Sequence, residues 1–184
     1  MLEPMRELKF HEKKLLKKVN FLEWKSTNTA REHLVMSKYH LRDREEYVKY
    51  NRIAGKITKI SEALARLKES DPVRASITRK LVNKLYGIGI IKNKKLVDCT
   101  KVTVSSFCER RLPMIMKNMH MVPSSKDATR FVEHGHVRLG SKIVYDPSAI
   151  ISKAMEDFVS WAEESKIKRK IDEFHGERDD YKYV

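Results

Sequence analysis

The chain has 184 residues and carries 39 Lys and Arg against 25 Asp and Glu, a formal net charge of +14. That length suits one domain with extensions, and an excess of that size and sign makes nucleic acid the first partner to consider. Its 41% apolar share supports a modest core, but no apolar run approaches the ~20 residues that cross a bilayer.

Residues 7–25 read as a basic amphipathic helix. Leu8, Leu15, Val19 and Leu22 fall on one stripe with Leu16 beside it, and lysines cover the rest. Such a helix suits an RNA groove or a protein partner. Leu15, Val19, Phe21, Leu22 and Trp24 are the candidates for a protein contact, because they offer more apolar surface than a solvated RNA arm needs. Residues 26–41 lack a clear period and read as a linker, so residues 1–41 form a first unit of helix and linker.

Residues 43–68 carry the plainest helical pattern. Asp43 and Glu46 are placed as an N-terminal cap pair. Tyr47, Tyr50, Ile53, Ile57, Ile60, Leu64 and Leu67 recur every three or four residues and predict a buried stripe. Arg44, Lys49, Arg52, Lys56, Lys59 and Arg66 lie opposite. Asp71-Pro72 opens another helix, with a capping side chain and then a proline at the first helical position. Val73, Ile77, Leu81 and Leu85 are its expected core face, and Gly87 its end. Residues 88–104 shift toward short strand or loop around Ile88, Ile90, Ile91, Val102 and Val104. Ser106 with Glu109 then reads as a capping box. A helical unit over residues 42–105 results. Between residues 26 and 105 there are 18 Lys and Arg against 8 Asp and Glu; between 110 and 151 the numbers are 7 and 3. RNA contact therefore need not be confined to the second of these stretches.

Residues 106–161 form the central unit. Two helical patterns are joined by Val122-Pro123-Ser124-Ser125. Pro123 stops the first, because the residue before a proline avoids the helical region. A serine caps the second, with Asp127 in its favoured first turn. Ala128, Phe131 and Val132 are its inner face, and Gly135 its left-handed stop. The period then changes to two: Val137 and Leu139 alternate with His136 and Arg138. Gly140-Ser141 is a tight turn, Ile143-Val144 the return strand, Asp146-Pro147-Ser148 a second turn, and Phe158-Val159-Ser160-Trp161 a candidate closing strand. The fold class is α+β: a helical N-terminal region, then a helix-loop-helix with a small antiparallel sheet. Residues 162–175 read as a C-terminal helix and 176–184 as an acidic tail, together the unit 162–184.

Basic groups gather at the edges of the central unit: Arg110, Arg111, Lys117, Lys126, Arg130, His134, His136, Arg138 and Lys142. Arginine forks bind phosphates bidentately, and the helix start at Ser124-Ser125 adds backbone N–H donors. These eleven residues are the candidate RNA contacts. For any one of them a solvated charge is the plainer reading; His134 and His136 serve equally well as turn residues.

Catalytic signatures are missing. There is no P-loop and no nucleophile elbow, and the seven histidines form no H-E-x-x-H pair. Cys99 and Cys108 lack a C-x-x-C spacing, so a zinc site would have to recruit scattered histidines, and the thiols suit a reducing compartment. The first residues lack the apolar core and cleavage site of a secretory signal. The expectation is a non-enzyme without metal or cofactor.

Arg110-Arg111-Leu112, Ser125-Lys126-Asp127-Ala128 and His134-Gly135-His136-Val137-Arg138-Leu139, in this order, resemble the RNA-binding S-four domain, named after a small-subunit ribosomal protein. That resemblance implies a helix-loop-helix face that grips RNA backbone and irregular junctions. Pro113 departs from it, since an interior proline costs about 3 kcal/mol; the first helix is expected to kink or restart there. Tyr50 to Leu85 with Gly87-Ile88-Gly89-Ile90 resembles the helical region wrapping that domain in the archaeal and eukaryotic ribosomal protein. The N-terminal LKFHEKKLLKKVNFLEWK, Tyr47 to Arg52 and Arg110-Arg111-Leu112-Pro113 resemble the nucleolar branch of the family, and the acidic Asp179-Asp180 end departs from the ribosomal branch. The nucleolar resemblance implies a component of the small-subunit processome. Its partners would be U-three small nucleolar RNA, pre-ribosomal RNA, M-phase phosphoprotein ten and the Imp-four protein, and its place the nucleolus. A structural ribosomal protein and a mainly protein-binding scaffold are the other two readings.

Overall fold

A computed structural model describes residues 6–18 and 29–176. The N-terminal helix is α1 (Phe10–Lys18), on which Leu15 is half exposed. Val19, Phe21, Leu22 and Trp24 lie outside the described residues, as does the acidic tail. The stretch expected to be a linker holds a helix instead, α2 (Ala30–Tyr39). Its inner face is short: Val35, Met36 and Tyr39 reach the core and Leu41 follows. His40 closes it at φ 48, its N–H bonded to the Met36 carbonyl. A left-handed histidine in place of the usual glycine hid this stop.

α3 (Arg44–Arg66) and α4 (Pro72–Ile88) are the long helices. Asp71 caps α4 as expected, its carboxylate accepting from the Val73 N–H at 2.9 Å. Asp43 stands at the start of α3 but makes no side-chain cap bond. Tyr50, Ile57 and Leu64 are buried on α3 as expected, but Ala54 and Ser61 complete the buried line in place of Ile53, Ile60 and Leu67. Ile53, Ile60 and Leu67 are 45%, 45% and 41% exposed. Ala54 and Ser61 are small enough to let neighbouring helices approach, and Ser61 satisfies its hydroxyl on the Ile57 carbonyl at 2.8 Å. On α4 the same correction applies: Val82 and Leu85 are buried, while Val73 and Ile77 face outward. The helix runs past Gly87 and stops at Gly89, φ 90.

Residues 88–104 form no strand. They fold into α5 (Leu96–Thr100) and enter α6 (Val104–Cys108), both packed on α3. The capping box is one turn earlier than expected. Thr103 is its first member and Ser106 its third helical position, with the Ser106 hydroxyl accepting from the Thr103 N–H at 3.5 Å. Tyr50 stacks on Phe107 with ring centroids 5.8 Å apart. Cys99 and Cys108 are free thiols packed in this first core.

α7 (Leu112–Asn118) restarts the chain after Cys108, with Pro113 in its first turn. Pro113 therefore costs nothing there, because the N–H it lacks would have had no helical partner. α7 packs on α8 (Ser125–Glu133). The sheet follows: β1 (Val137–Leu139), β2 (Lys142–Ile143) and, after the short α9 (Lys153–Glu156), β3 (Val159–Trp161). The order is β2-β1-β3, all antiparallel, so Arg138 faces both Ile143 and Ser160. Leu112, Ile115, Met116, Val132, Val137 and Ile151 centre a second core. α10 (Lys166–His175) closes the described chain, capped by Ser165. No described helix is long and apolar enough to cross a membrane.

Candidate nucleic-acid interface

The two cores meet at Arg110 and Arg111. The segment after the β1–β2 hairpin returns to pair there: the Leu112 N–H donates to the Ala149 carbonyl at 2.9 Å, and the Ile151 N–H to the Arg110 carbonyl at 2.9 Å. Arg110 is held on three sides. Its Nε and Nη2 donate to the Ile151 carbonyl at 3.0 and 2.8 Å, and Nη1 meets Glu156 at 3.0 Å. Gly89 abuts the same guanidinium: a Cβ there would lie 2.9 Å from Arg110 Nε. Arg111 is 1% exposed. It lies 3.1 Å from Glu46 of α3, and its Nη1 donates to the Tyr39 carbonyl of α2 at 3.4 Å. Both arginines were expected on an RNA-facing surface. The structure puts them in the seam between the helical region and the central unit, where their charges face protein acceptors.

The other expected residues divide between surface and frame. Ser124 caps α8, its hydroxyl accepting from the Lys126 N–H at 3.3 Å, and Ser125 is buried beneath that turn. Arg138 donates to the Ser160 hydroxyl at 2.9 Å and pairs with Glu163 at 2.7 Å, across β1–β3 and onto the following loop. His136 Nδ1 sits 3.0 Å from the Ser165 hydroxyl that caps α10. Lys117 is exposed at the end of α7, and Lys142 on the edge strand β2.

What remains is an outward row on α8. Lys126, Arg130 and His134 follow at four-residue steps, all exposed, opposite the buried Ser125, Ala128 and Val132. Residues four apart stand above one another on a helix. The His134 ring stacks on His136, centroids 6.2 Å and planes 15° apart. Phe131 sets its edge to His136 at 6.2 Å and to Trp161 at 5.9 Å. Two cations, Lys126 and Arg130, thus lead into a group of four rings, an arrangement that can take phosphates along one part and unstacked bases at the other. Sequence reasoning missed Phe131 and Trp161 as neighbours of this row. The signal was Trp161 standing in the expected closing strand, opposite Val137 in the observed register.

The α3 cations opposite its buried line, Lys49, Arg52, Lys56 and Lys59, are also exposed. Lys49 is 4.0 Å from Glu45 of the preceding turn.

A helix-loop-helix followed by a hairpin, joined through an arginine seam to a basic helical region, defines an S4-domain RNA-binding protein. The S4 domain model matches residues 110–157, and the ribosomal protein S4/S9 N-terminal domain model matches residues 7–109; their junction falls at the seam between the two cores. The chain is 44% identical to U3 small nucleolar ribonucleoprotein protein IMP3 of Saccharomyces cerevisiae, over 97% of this chain and 99% of that protein. It is 42% identical to the Mus musculus protein of the same name, over 96% and 97%. Small ribosomal subunit protein uS4 of Picrophilus torridus is 26% identical, over 77% and 79%. The chain belongs to the U3 small nucleolar ribonucleoprotein protein IMP3 family.

Proposed function

We propose that the chain is an RNA-binding component of the U3 small nucleolar ribonucleoprotein. In this reading it holds U3 RNA against pre-ribosomal RNA during small-subunit rRNA processing in the nucleolus. It acts by binding rather than by catalysis, and works beside M-phase phosphoprotein ten and the Imp-four protein. The observation that carries the reading is the outward row Lys126, Arg130 and His134 on α8, ending at the stacked His134–His136 rings.

The physics of the task fits this surface. Two RNAs that must pair repel through their phosphates, and a polycation lowers that cost by displacing condensed counterions. A helical row of cations reads backbone geometry, while rings beside it accept bases splayed from a junction. Lys117 on α7 and Lys142 on β2 are further exposed cations of the same domain. Arg110 and Arg111 act on it indirectly, by holding the central unit to the 151–156 segment and to the helical region, and Arg138 by tying β1 to Ser160 and Glu163. The near full-length likeness to the IMP3 proteins favours this reading over that of a ribosomal subunit protein, for which the likeness is weaker and shorter.

The test is a binding titration of the full chain on a junction made from U3 and precursor RNA segments, at several salt concentrations. Changing Lys126→Gln and Arg130→Gln together lowers the slope of log affinity against log salt by about 1.4–1.8, at 0.7–0.9 per lost phosphate contact. A slope equal to the parent's removes the α8 row from the interface.

A further inference from the structure

We propose that the S4 domain carries a protein-docking groove on the open edge of its sheet. Its occupant is an extended segment of a partner protein, with alternating apolar side chains and an acidic residue. The proposal goes beyond RNA binding and does not depend on the α8 row.

The groove has a volume of about 580 Å³. Leu139 and Val144, which also pack on the second core, form its floor. Ile143, Tyr145, Met155 and Phe158 are its walls, and all four are exposed, Tyr145 and Phe158 by 63% and 61%. Large apolar side chains scattered singly over a surface need no explanation, but four around one groove mark a contact. The walls are held in place. An added Cβ on Gly135 would lie 2.5 Å from Tyr145 Cε1, so this ring rests on the backbone at the end of α8. Phe158 is fixed through its main chain: its N–H donates to the Met155 carbonyl at 3.2 Å, and its carbonyl accepts from the Gly140 N–H at 3.0 Å. The groove is formed before anything enters it, which spares a ligand the cost of ordering it.

Two features select the occupant. The first is the strand edge. β2 is outermost in the order β2-β1-β3. The Val144 N–H donates to the Val137 carbonyl at 3.0 Å, and Lys142 stands opposite Leu139. In an antiparallel ladder the residue between two bonded pairs turns its own N–H and C=O the other way. Those of Ile143 therefore point out of the sheet, beside the groove. An extended segment meets both groups, whereas a helix, whose backbone is bonded within itself, meets neither. The second feature is charge. Lys142 lines the groove, is exposed, and makes no ion pair among the described residues. Asp146, also in the lining, accepts from the Ser148 N–H at 2.8 Å and from its hydroxyl at 2.6 Å, which hold it in its own turn. The open charge at the rim is therefore positive and suits an acidic residue. One lysine among apolar walls does not suit an RNA backbone, which is gripped by several cations along its phosphates.

The experiment puts a benzophenone photo-crosslinking amino acid in place of Tyr145 in the full chain, irradiates cells, and sequences the adducts by mass spectrometry. Adducts are expected on one stretch of another protein, in which apolar residues alternate with polar ones and at least one is acidic. A synthetic peptide of that stretch is then titrated with the full chain by fluorescence anisotropy. Phe158→Ser and Met155→Ser each weaken its binding about tenfold, the loss of an anchor in a docking site, while keeping the parent's melting temperature. Lys142→Glu weakens it most at low salt. N-methylation of the peptide amide facing Ile143 abolishes binding, and methylation of the next amide does not. Adducts confined to RNA or to the chain's own sequence, or no adduct, overturn the groove. So does unchanged peptide affinity in Phe158→Ser or Lys142→Glu, or binding that tolerates N-methylation at every amide. RNA binding is read separately. Phe158→Ser keeps the parent's affinity and salt slope on the U3 and precursor junction; a loss there in the folded variant overturns the groove in favour of RNA. Failure of the groove leaves the α8 row standing, and failure of the α8 variant leaves the groove standing.

Discussion

Arg111 faces Glu46 at 3.1 Å with its own side chain almost wholly enclosed, and its Nε has no partner. A charge in that position is retained only while its counter-charge is present; removing one member of a buried pair costs about 3 kcal/mol. Arg111→Ala is therefore expected to lower the urea midpoint strongly, and Arg111→Met with Glu46→Gln to recover much of the loss. Equal destabilisation by the single and double changes would contradict the pairing. Cys108 sits close by. Burial pushes its thiol up to about 11, against a smaller downward pull from Arg111. Its unfolded value is 9.0, so the folded chain holds this proton more tightly. The stability it contributes is whole below pH 9 and is lost as pH rises toward 11. Urea midpoints measured across that range should fall less steeply for Cys108→Ala than for the parent; parallel curves would contradict it. Neither property could be read from the sequence. Arg110 and Arg111 look like any surface arginine pair until the fold brings Glu46, Tyr39 and Ile151 to them.

At the scale of elements, starts were more legible than faces. Asp71-Pro72 and Ser124 are local signals, and each caps a helix as its chemistry predicts. The buried line of α3 was only partly legible, because Ala54 and Ser61 do not look like core, yet they lie buried between Tyr50, Ile57 and Leu64 on a helix that packs against α5 and α6. α2 was missed because its apolar face is barely two turns long. The β-branched residues at 88–104 suggested strand, but their turns are closed by short helices instead. The two glycines at the end of α4 show the difference between local preference and tertiary demand. Gly87 is helical with nothing within 4 Å of an added Cβ, whereas Gly89 has φ 90 and the Arg110 guanidinium 2.9 Å away. Gly89→Ala should cost at least the 1–2 kcal/mol of a left-handed side chain, lowering the melting temperature by about 2–8 °C for a chain of this length. Gly87→Ala should hold or raise it, because alanine is the better helix former. The reverse order in a thermal melt would contradict this account of the helix end.

For the molecule as a whole, the fold class was legible because period, glycine stops and proline positions change along the chain in step with the architecture. The surface was less so: of eleven residues expected at one RNA face, several are buried or paired within the protein, because charge says nothing about which side chains a neighbouring unit will cover. The result is two cores locked by an arginine seam, with the α8 row on one unit and basic α3 and α4 on the other. The central claim is that this assembly holds U3 RNA against the ribosomal precursor. Crosslinking of the tagged protein in cells, followed by sequencing of the attached RNA, tests it directly. Crosslinks on U3 RNA and on the 5′ part of the precursor transcript are the predicted result. Crosslinks confined to mature small-subunit RNA would contradict it and make the chain a ribosomal protein.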